Sequence, residues 1–207
     1  RNHTIGIATA CMNREENLLR VLPNWINSGV DKIHIIDWSS DIHIQEYIEN
    51  KLEINNKVKF FRINNKSKWV LTHAFNIALS SLDTDFIAKF DCDHLCQNDI
   101  FMEIDLKEGN FYRFNFNNNK KGTNGAFISD KNLLEKVNFF DERIDTYGWD
   151  ESDLFDRVQS FASSIIFLNP DLIDHLPHTS ERRIQNQSLE LEKRISNYIN
   201  INPFEFN

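Results

Sequence analysis

The sequence predicts an α/β fold, doubly wound around a mostly parallel central sheet. Two observations carry this. Short apolar strands alternate with helical periodicity up to about residue 98, and the first strand, helix and strand have the spacing of a βαβ unit. A third observation limits it: after about residue 100 the alternation gives way to shorter strands and polar loops.

Thr4 to Ala10 reads as a buried strand. Leu18, Leu22, Trp25 and Ile26 then fall at i, i+4, i+7 and i+8, one face of a helix, with Asn13 and Glu16 as a capping pair and Pro23 as a bend. Ser28-Gly29 ends that helix, and Lys32 to Asp37 is the second strand. Ile42 to Leu52 is helical, and Val58 to Ile63 is a strand. Val70 to Leu82 is a helix with Ala74, Ile77 and Ala78 on its inner side, and Asp85 to Phe90 is a strand running into Asp91-Cys92-Asp93. Beyond it, Phe111 to Phe116 alternates like an exposed strand, and residues 115–124 read as an Asn/Lys-rich loop. Gly125 to Ser129 is a short strand, Lys131 to Lys136 a short helix, Asp150 to Phe161 a clearer one and Ile165 to Leu168 a last strand. Ser188 to Ile199 is loosely amphipathic. With no repeat and no linker, we expect one domain over 1–207, with unequal halves of about 1–98 and 99–207.

Composition excludes several function classes. A net charge of -8 argues against a nucleic-acid partner. No apolar run approaches the ~18 residues of a membrane span, and the N-terminus has no secretory signal pattern. Three cysteines cannot all pair with one another, which suits a reducing compartment, so the expected location is cytoplasmic. Gly122 and Gly125 are the only close glycine pair, and neither a dinucleotide fingerprint nor a Walker A loop occurs. Any nucleotide is therefore bound by other means.

Four segments could carry chemistry. Phe90-Asp-Cys-Asp-His94 closes a strand, where α/β sheets bind ligands, and two carboxylates one residue apart can reach one hard cation. On spacing alone, Asp91 and Asp93 serve equally well as turn and cap residues. Cys92, His94 and Cys96 make a poor zinc set, lacking a fourth ligand. Gly148-Trp149-Asp150-Glu151 opens a helix, where the dipole favours acids; an indole beside carboxylates also suits a sugar, and a carboxylate there could deprotonate a hydroxyl. Asp174-His175 and His178 offer an imidazole to a metal, or are ordinary core or surface residues. Asp37, ending the second strand, would bind a ribose or base, or cap the next helix.

Together and in order, Thr9-Ala-Cys-Met-Asn-Arg14, Ile36-Asp-Trp-Ser-Ser40, Phe90-Asp-Cys-Asp93 and Gly148-Trp-Asp-Glu151 resemble the family 2 type of glycosyltransferase with a GT-A fold. The last block also resembles the galactosyltransferase-like C-terminal motif. The resemblance spans Thr4 to about His178. It implies a Rossmann-like, mostly parallel sheet flanked by helices, with a smaller acceptor-side half. It also implies a nucleotide-sugar donor, usually UDP-linked, a glycan or glycoprotein acceptor, and a Mn²⁺ or Mg²⁺ ion. Carried over, Asp91 and Asp93 would meet the ion and donor, with His178 the late metal ligand and His175 the second choice. Thr9, Ala10, Arg14, Asp37, Asn76 and Cys92 would line the nucleotide site, and Gly148 and Trp149 the sugar. Glu151 falls at the place of the catalytic base, with Asp150 beside it. The motif departs from the family in lacking a second glycine and in reversing the usual Glu-Asp order. A phosphohydrolase of the haloacid-dehalogenase kind and a non-catalytic sugar-nucleotide or glycan-binding domain are the rival readings.

Overall fold

The computed structural model describes residues 2–97, 100–114, 122–146 and 148–177. Its first half is built as the periodicity requires: β1 (Ile5–Cys11), α1 (Glu15–Ile26), β2 (Lys32–Trp38), α2 (Ile44–Glu49), β3 (Val58–Ile63), α3 (Leu71–Ser81) and β4 (Phe86–Lys89). There follow β5 (His94–Cys96), α4 (Ile100–Glu103), β6 (Asn110–Phe114), β7 (Phe127–Asp130), α5 (Lys131–Lys136), α6 (Asp150–Gln159), β8 (Ser164–Leu168) and β9 (Ile173–His175).

Among the described residues the main sheet has seven strands in the order β3-β2-β1-β4-β7-β6-β8. The pairs among β1 to β4 are parallel, as is β6 with β8, whereas β7 runs antiparallel to both β4 and β6. The chain winds outwards from β1 to β3, then returns through α3 to lay β4 on the free side of β1. Strand order therefore reverses between β1 and β4, which opens a crevice beyond their carboxyl ends.

Alternation along each strand divides the core in two. Ile5, Ile7 and Cys11 of β1 pack with Leu18, Leu22 and Trp25 of α1. Ala8 and Ala10 pack with Ala74, Phe75, Ala78 and Leu79 of α3, and that layer continues through Leu133, Leu134, Leu154 and Val158 of α5 and α6.

Several expectations change in detail. Helix α1 runs through Pro23, whose carbonyl accepts from Asn27 N at 3.3 Å and so closes the last turn. Asn13 does not cap it; Arg14 is the N-cap, and the Asn13 side chain accepts from Asp41 N at 2.7 Å, joining the loops after β1 and β2. Helix α2 is shorter than expected, leaving Ile42 exposed. Ile77 is only half-buried, and the inner face of α3 is Ala74, Phe75, Ala78 and Leu79. Strand β6 is not exposed. It lies between β7 and β8 with Phe111, Tyr112 and Phe114 buried, and its polar Arg113 is stacked 3.7 Å from the Phe155 ring centre. On the open edge, β8 exposes Ile166 and Phe167. The expected helix at Ser188 to Ile199 lies outside the described residues. No helix among those described is long and apolar enough to cross a membrane.

One buried titratable group lies in this frame, away from the crevice. The Ser81 hydroxyl donates to Ala78 O, so it can only accept from His34 Nδ1, 2.8 Å away; His34 Nε2 is then bare, buried and without a hydrogen-bond partner. Burial first, then Lys59 and Lys32, push this imidazole down to about 4. A folded pKa below the unfolded ~6.5 means that protonation favours unfolding. The stability contribution of His34 is complete above pH 6.5 and is lost as pH falls towards 4. Wild-type melting temperature should therefore fall across this window, and His34→Phe should flatten that part of the Tm-against-pH curve.

Candidate active site

The crevice is walled by the segment that leaves β4. Phe90 N donates to Ala8 O at 3.1 Å, carrying the β1–β4 pairing one residue past the strand, and His94 N donates to Asp91 O at 3.0 Å, closing a turn over Asp91 to His94. This turn is pinned from two sides. Strand β5 pairs with β9, His94 opposite His175, and Leu176 N donates to Asp93 O at 2.8 Å. From α1, Trp25 Nε1 donates to His94 O at 2.8 Å, and Asn24 exchanges two hydrogen bonds with the Cys96 backbone. Strands as short as β5 and β9 leave no periodicity to read, which is why the sequence did not announce them.

Asp91 and Asp93 project from this turn. With His94 they form a cluster whose ligand-type atoms all lie within 4.8 Å of one another. The carboxylates suit a hard divalent cation, which takes oxygen ligands. His94 does not suit it. The Asp91 amide donates to Nδ1 at 3.1 Å, which puts the ring hydrogen on Nε2, and Nε2 donates to Gly122 O at 2.8 Å. Both nitrogens are occupied in a neutral ring, and burial, against the pull of Asp91 and Asp93, pushes this histidine below its ordinary range. His175 is the second imidazole, its Nε2 3.5 Å from Asp93 Oδ2. His178 lies outside the described residues.

Behind the carboxylates sits a lysine that sequence reasoning passed over. Lys89 is fully buried. Its Nζ donates to Asp91 Oδ1 at 2.8 Å and to Glu151 Oε1 at 3.4 Å, and it lies 4.4 Å from the Phe75 ring centre. Burial alone would drive Asp91 up, but Lys89, then His94, overcome this and hold it down to about 2. Lys89 in turn is raised, its carboxylate neighbours outweighing the burial. The available signal was a lone Lys within the apolar run Phe86 to Phe90.

Helix α6 delivers the acid motif from the other wall. Its entry needs two left-handed residues in succession: Gly148 at φ 98°, where a side chain would be strained, and Trp149 at φ 69°, leaving the indole 42% exposed. Asp150 turns inward and is buried, accepting from Glu151 N at 3.0 Å. Burial, then its hydrogen bond to Glu151, raises Asp150 well above the carboxylate range. Glu151 goes the other way: burial opposes its ionisation, but the hydrogen bond from Asp150 and the charge of Lys89 prevail. The two acids are thus pushed in opposite directions, Asp150 up and Glu151 down. Gly125 closes the site. A Cβ there would fall 2.6 Å from Glu151 Oε1 and 3.1 Å from Lys89 Nζ.

The structure therefore gathers Asp91, Asp93, Asp150 and Glu151 at one place, with Trp149 and Gly148 adjoining. Thr9 and Ala10 lie near the end of β1, on the strand that Phe90 continues to pair with; Thr9 is fully buried and its Oγ1 lacks a hydrogen-bond partner. Arg14 stands half-buried at the start of α1. The Cys92 thiol is buried against Cys11, and this hydrogen bond, with burial, pushes it well up. Asp37 is spent internally, accepting from Ser40 N at 2.9 Å, Ile44 N at 3.3 Å and the Arg62 guanidinium. Asn76 is likewise tied to the chain around Phe140, bonding Phe140 N and O at 2.9 Å each and Glu142 Oε1 at 3.0 Å.

No family model and no curated protein matches this sequence. Solved structures do resemble the fold. A mannosyltransferase, PcManGT from Pyrobaculum calidifontis, in complex with GDP-Man and Mn²⁺, matches 95% of this chain with a TM-score of 0.67 at 13% identity. Drosophila β-1,4-galactosyltransferase 7, in complex with manganese, UDP-Gal and xylobiose, matches 87% with a TM-score of 0.60 at 14% identity. S. aureus TarS in complex with UDP-GlcNAc matches 85% with a TM-score of 0.66 at 12% identity. The chain spans 65%, 73% and 59% of these proteins, respectively. What the likeness shows is architecture: a mixed α/β chain with the GT-A fold of glycosyltransferases.

Proposed function

We propose that this chain is a metal-dependent inverting glycosyltransferase, moving a sugar from a nucleotide-sugar, with UDP favoured, to a hydroxyl of a glycan or glycoprotein. The observation that carries the reading is the juxtaposition of Asp91 and Asp93, at the strand-order reversal, with Glu151 across a buried lysine. Asp91 and Asp93 would hold a Mn²⁺ or Mg²⁺ ion. When bound, the ion neutralises the negative charge that develops on a departing diphosphate. For the imidazole of the set, His175 has in its favour its approach to Asp93. His178 stays a candidate by resemblance. Thr9, Ala10, Arg14 and the Cys92 backbone line the nucleotide side, while Asp37 and Asn76 contribute by fixing the loops around it.

The chain's own residues then do three things. Glu151 accepts the acceptor hydroxyl's proton at a carboxylate oxygen as that hydroxyl attacks. A base must be ionised to act, and the hydrogen bond from Asp150 and the charge of Lys89 both favour the ionised form of Glu151. Trp149, 42% exposed beside the acids, offers indole surface to a sugar ring. Attack from the face opposite the leaving group inverts the anomeric centre.

Two substitutions test this. Asp93→Asn should abolish Mn²⁺-dependent release of UDP from UDP-sugars while leaving the melting temperature and circular dichroism unchanged; normal turnover at saturating Mn²⁺ refutes the metal assignment. Glu151→Gln should lower kcat by about 10²–10⁴-fold in acceptor-dependent transfer. The same assay separates the rivals, since a phosphohydrolase liberates phosphate and a binding domain liberates nothing. A thermal-shift screen of nucleotide-sugars with and without Mn²⁺ identifies the donor by selective stabilisation.

A further inference from the structure

We infer that Lys89 is a positioning residue of this site: its buried ammonium fixes Glu151 against the cation-binding carboxylates and tempers their pull on a divalent ion. The inference rests on the reading of Asp91 and Asp93 as cation ligands. Three chain segments converge on the ammonium. Asp91 approaches from the end of β4, Glu151 from α6 and the Phe75 ring from α3. Gly125, before β7, leaves the space that they fill. The exposures are ordered: the Lys89 side chain is 0% accessible, while those of Asp91 and Glu151 are 34% and 22%. The carboxylates thus face the crevice and the ammonium stands behind them.

This order has two electrostatic effects. Lys89 takes Asp91 Oδ1, so Oδ2 is the oxygen left to face a cation. Its positive charge also repels any divalent ion bound by Asp91, a repulsion strengthened by the full burial of the lysine side chain. A lysine that merely filled space would give the opposite result on removal, since loosening the carboxylates weakens cation binding. The two roles therefore predict opposite signs.

The experiment is a Mn²⁺ titration of the metal-free chain, followed by the electron paramagnetic resonance signal of free Mn²⁺, alongside steady-state kinetics. Lys89→Met should bind Mn²⁺ about tenfold more tightly than wild type. Its kcat should fall at least tenfold with little change in donor KM, because Glu151 has lost its anchor. Equal or weaker Mn²⁺ binding by the folded variant overturns the inference. Should Lys89→Met fail to fold, Gly125→Ala decides alone. Its Cβ falls 2.6 Å from the Glu151 carboxylate and 3.1 Å from the Lys89 ammonium, so it crowds the carboxylate more while the lysine's charge stays; kcat should drop with Mn²⁺ affinity within threefold of wild type, and wild-type turnover overturns the inference. A wild-type chain that binds no Mn²⁺ refutes the reading of Asp91 and Asp93 as cation ligands, and with it the metal-dependent mechanism, an outcome separate from these.

Discussion

The site depends first on where β4 lies. Because the chain returns through α3 and adds β4 to the free side of β1, two parallel strands end side by side with their connections departing in opposite directions. The Asp91–His94 turn can then overhang the gap between them, held by α1 through Trp25 and Asn24 and by β9 through Leu176. Had β4 paired outside β3, the same sequence would present its two aspartates at a sheet edge, with no opposing wall.

The second constraint is charge. Four carboxyl groups, Asp91, Asp93, Asp150 and Glu151, occupy one poorly solvated region, an arrangement that repels itself unless compensated. The chain compensates internally, with the ammonium of Lys89 and with Asp150 pushed towards its neutral form. Breaking a buried ion pair by removing one partner typically costs about 3–5 kcal/mol, so this compensation is structural as well as chemical. The net result is a site left anionic, ready for a cation without collapsing in its absence.

Much of the fold was legible, because buried parallel strands and one-faced helices leave long periodic traces. The order β1 to β4, α3 and α6 could all be read in this way. What escaped was short or context-dependent. Strands β5 and β9 have three residues each. The alternation of β6 suggested exposure, because covering both faces of a strand is a tertiary event that a polar Arg113 disguises. At the site, Asp91, Asp93 and the Trp149-Asp150-Glu151 block were legible from residue type and order. That Asp150 and Glu151 are pushed in opposite directions was not, since it follows from burial and from Lys89. Asp37 and Asn76 show the converse. Their residue types fit a nucleotide, yet their side chains are consumed by Arg62 and by the chain around Phe140.

The cramped space at Gly125 has an evolutionary corollary. Positions 89, 125 and 151 are far apart in the chain but share one small volume, so drift at any of them is coupled to the others. A descendant that shed the glutamate would relieve the tightest contact at position 125, whereas one that kept both lysine and glutamate would have to shift them to admit a methyl group. Aligned homologues should show the three positions changing as a set.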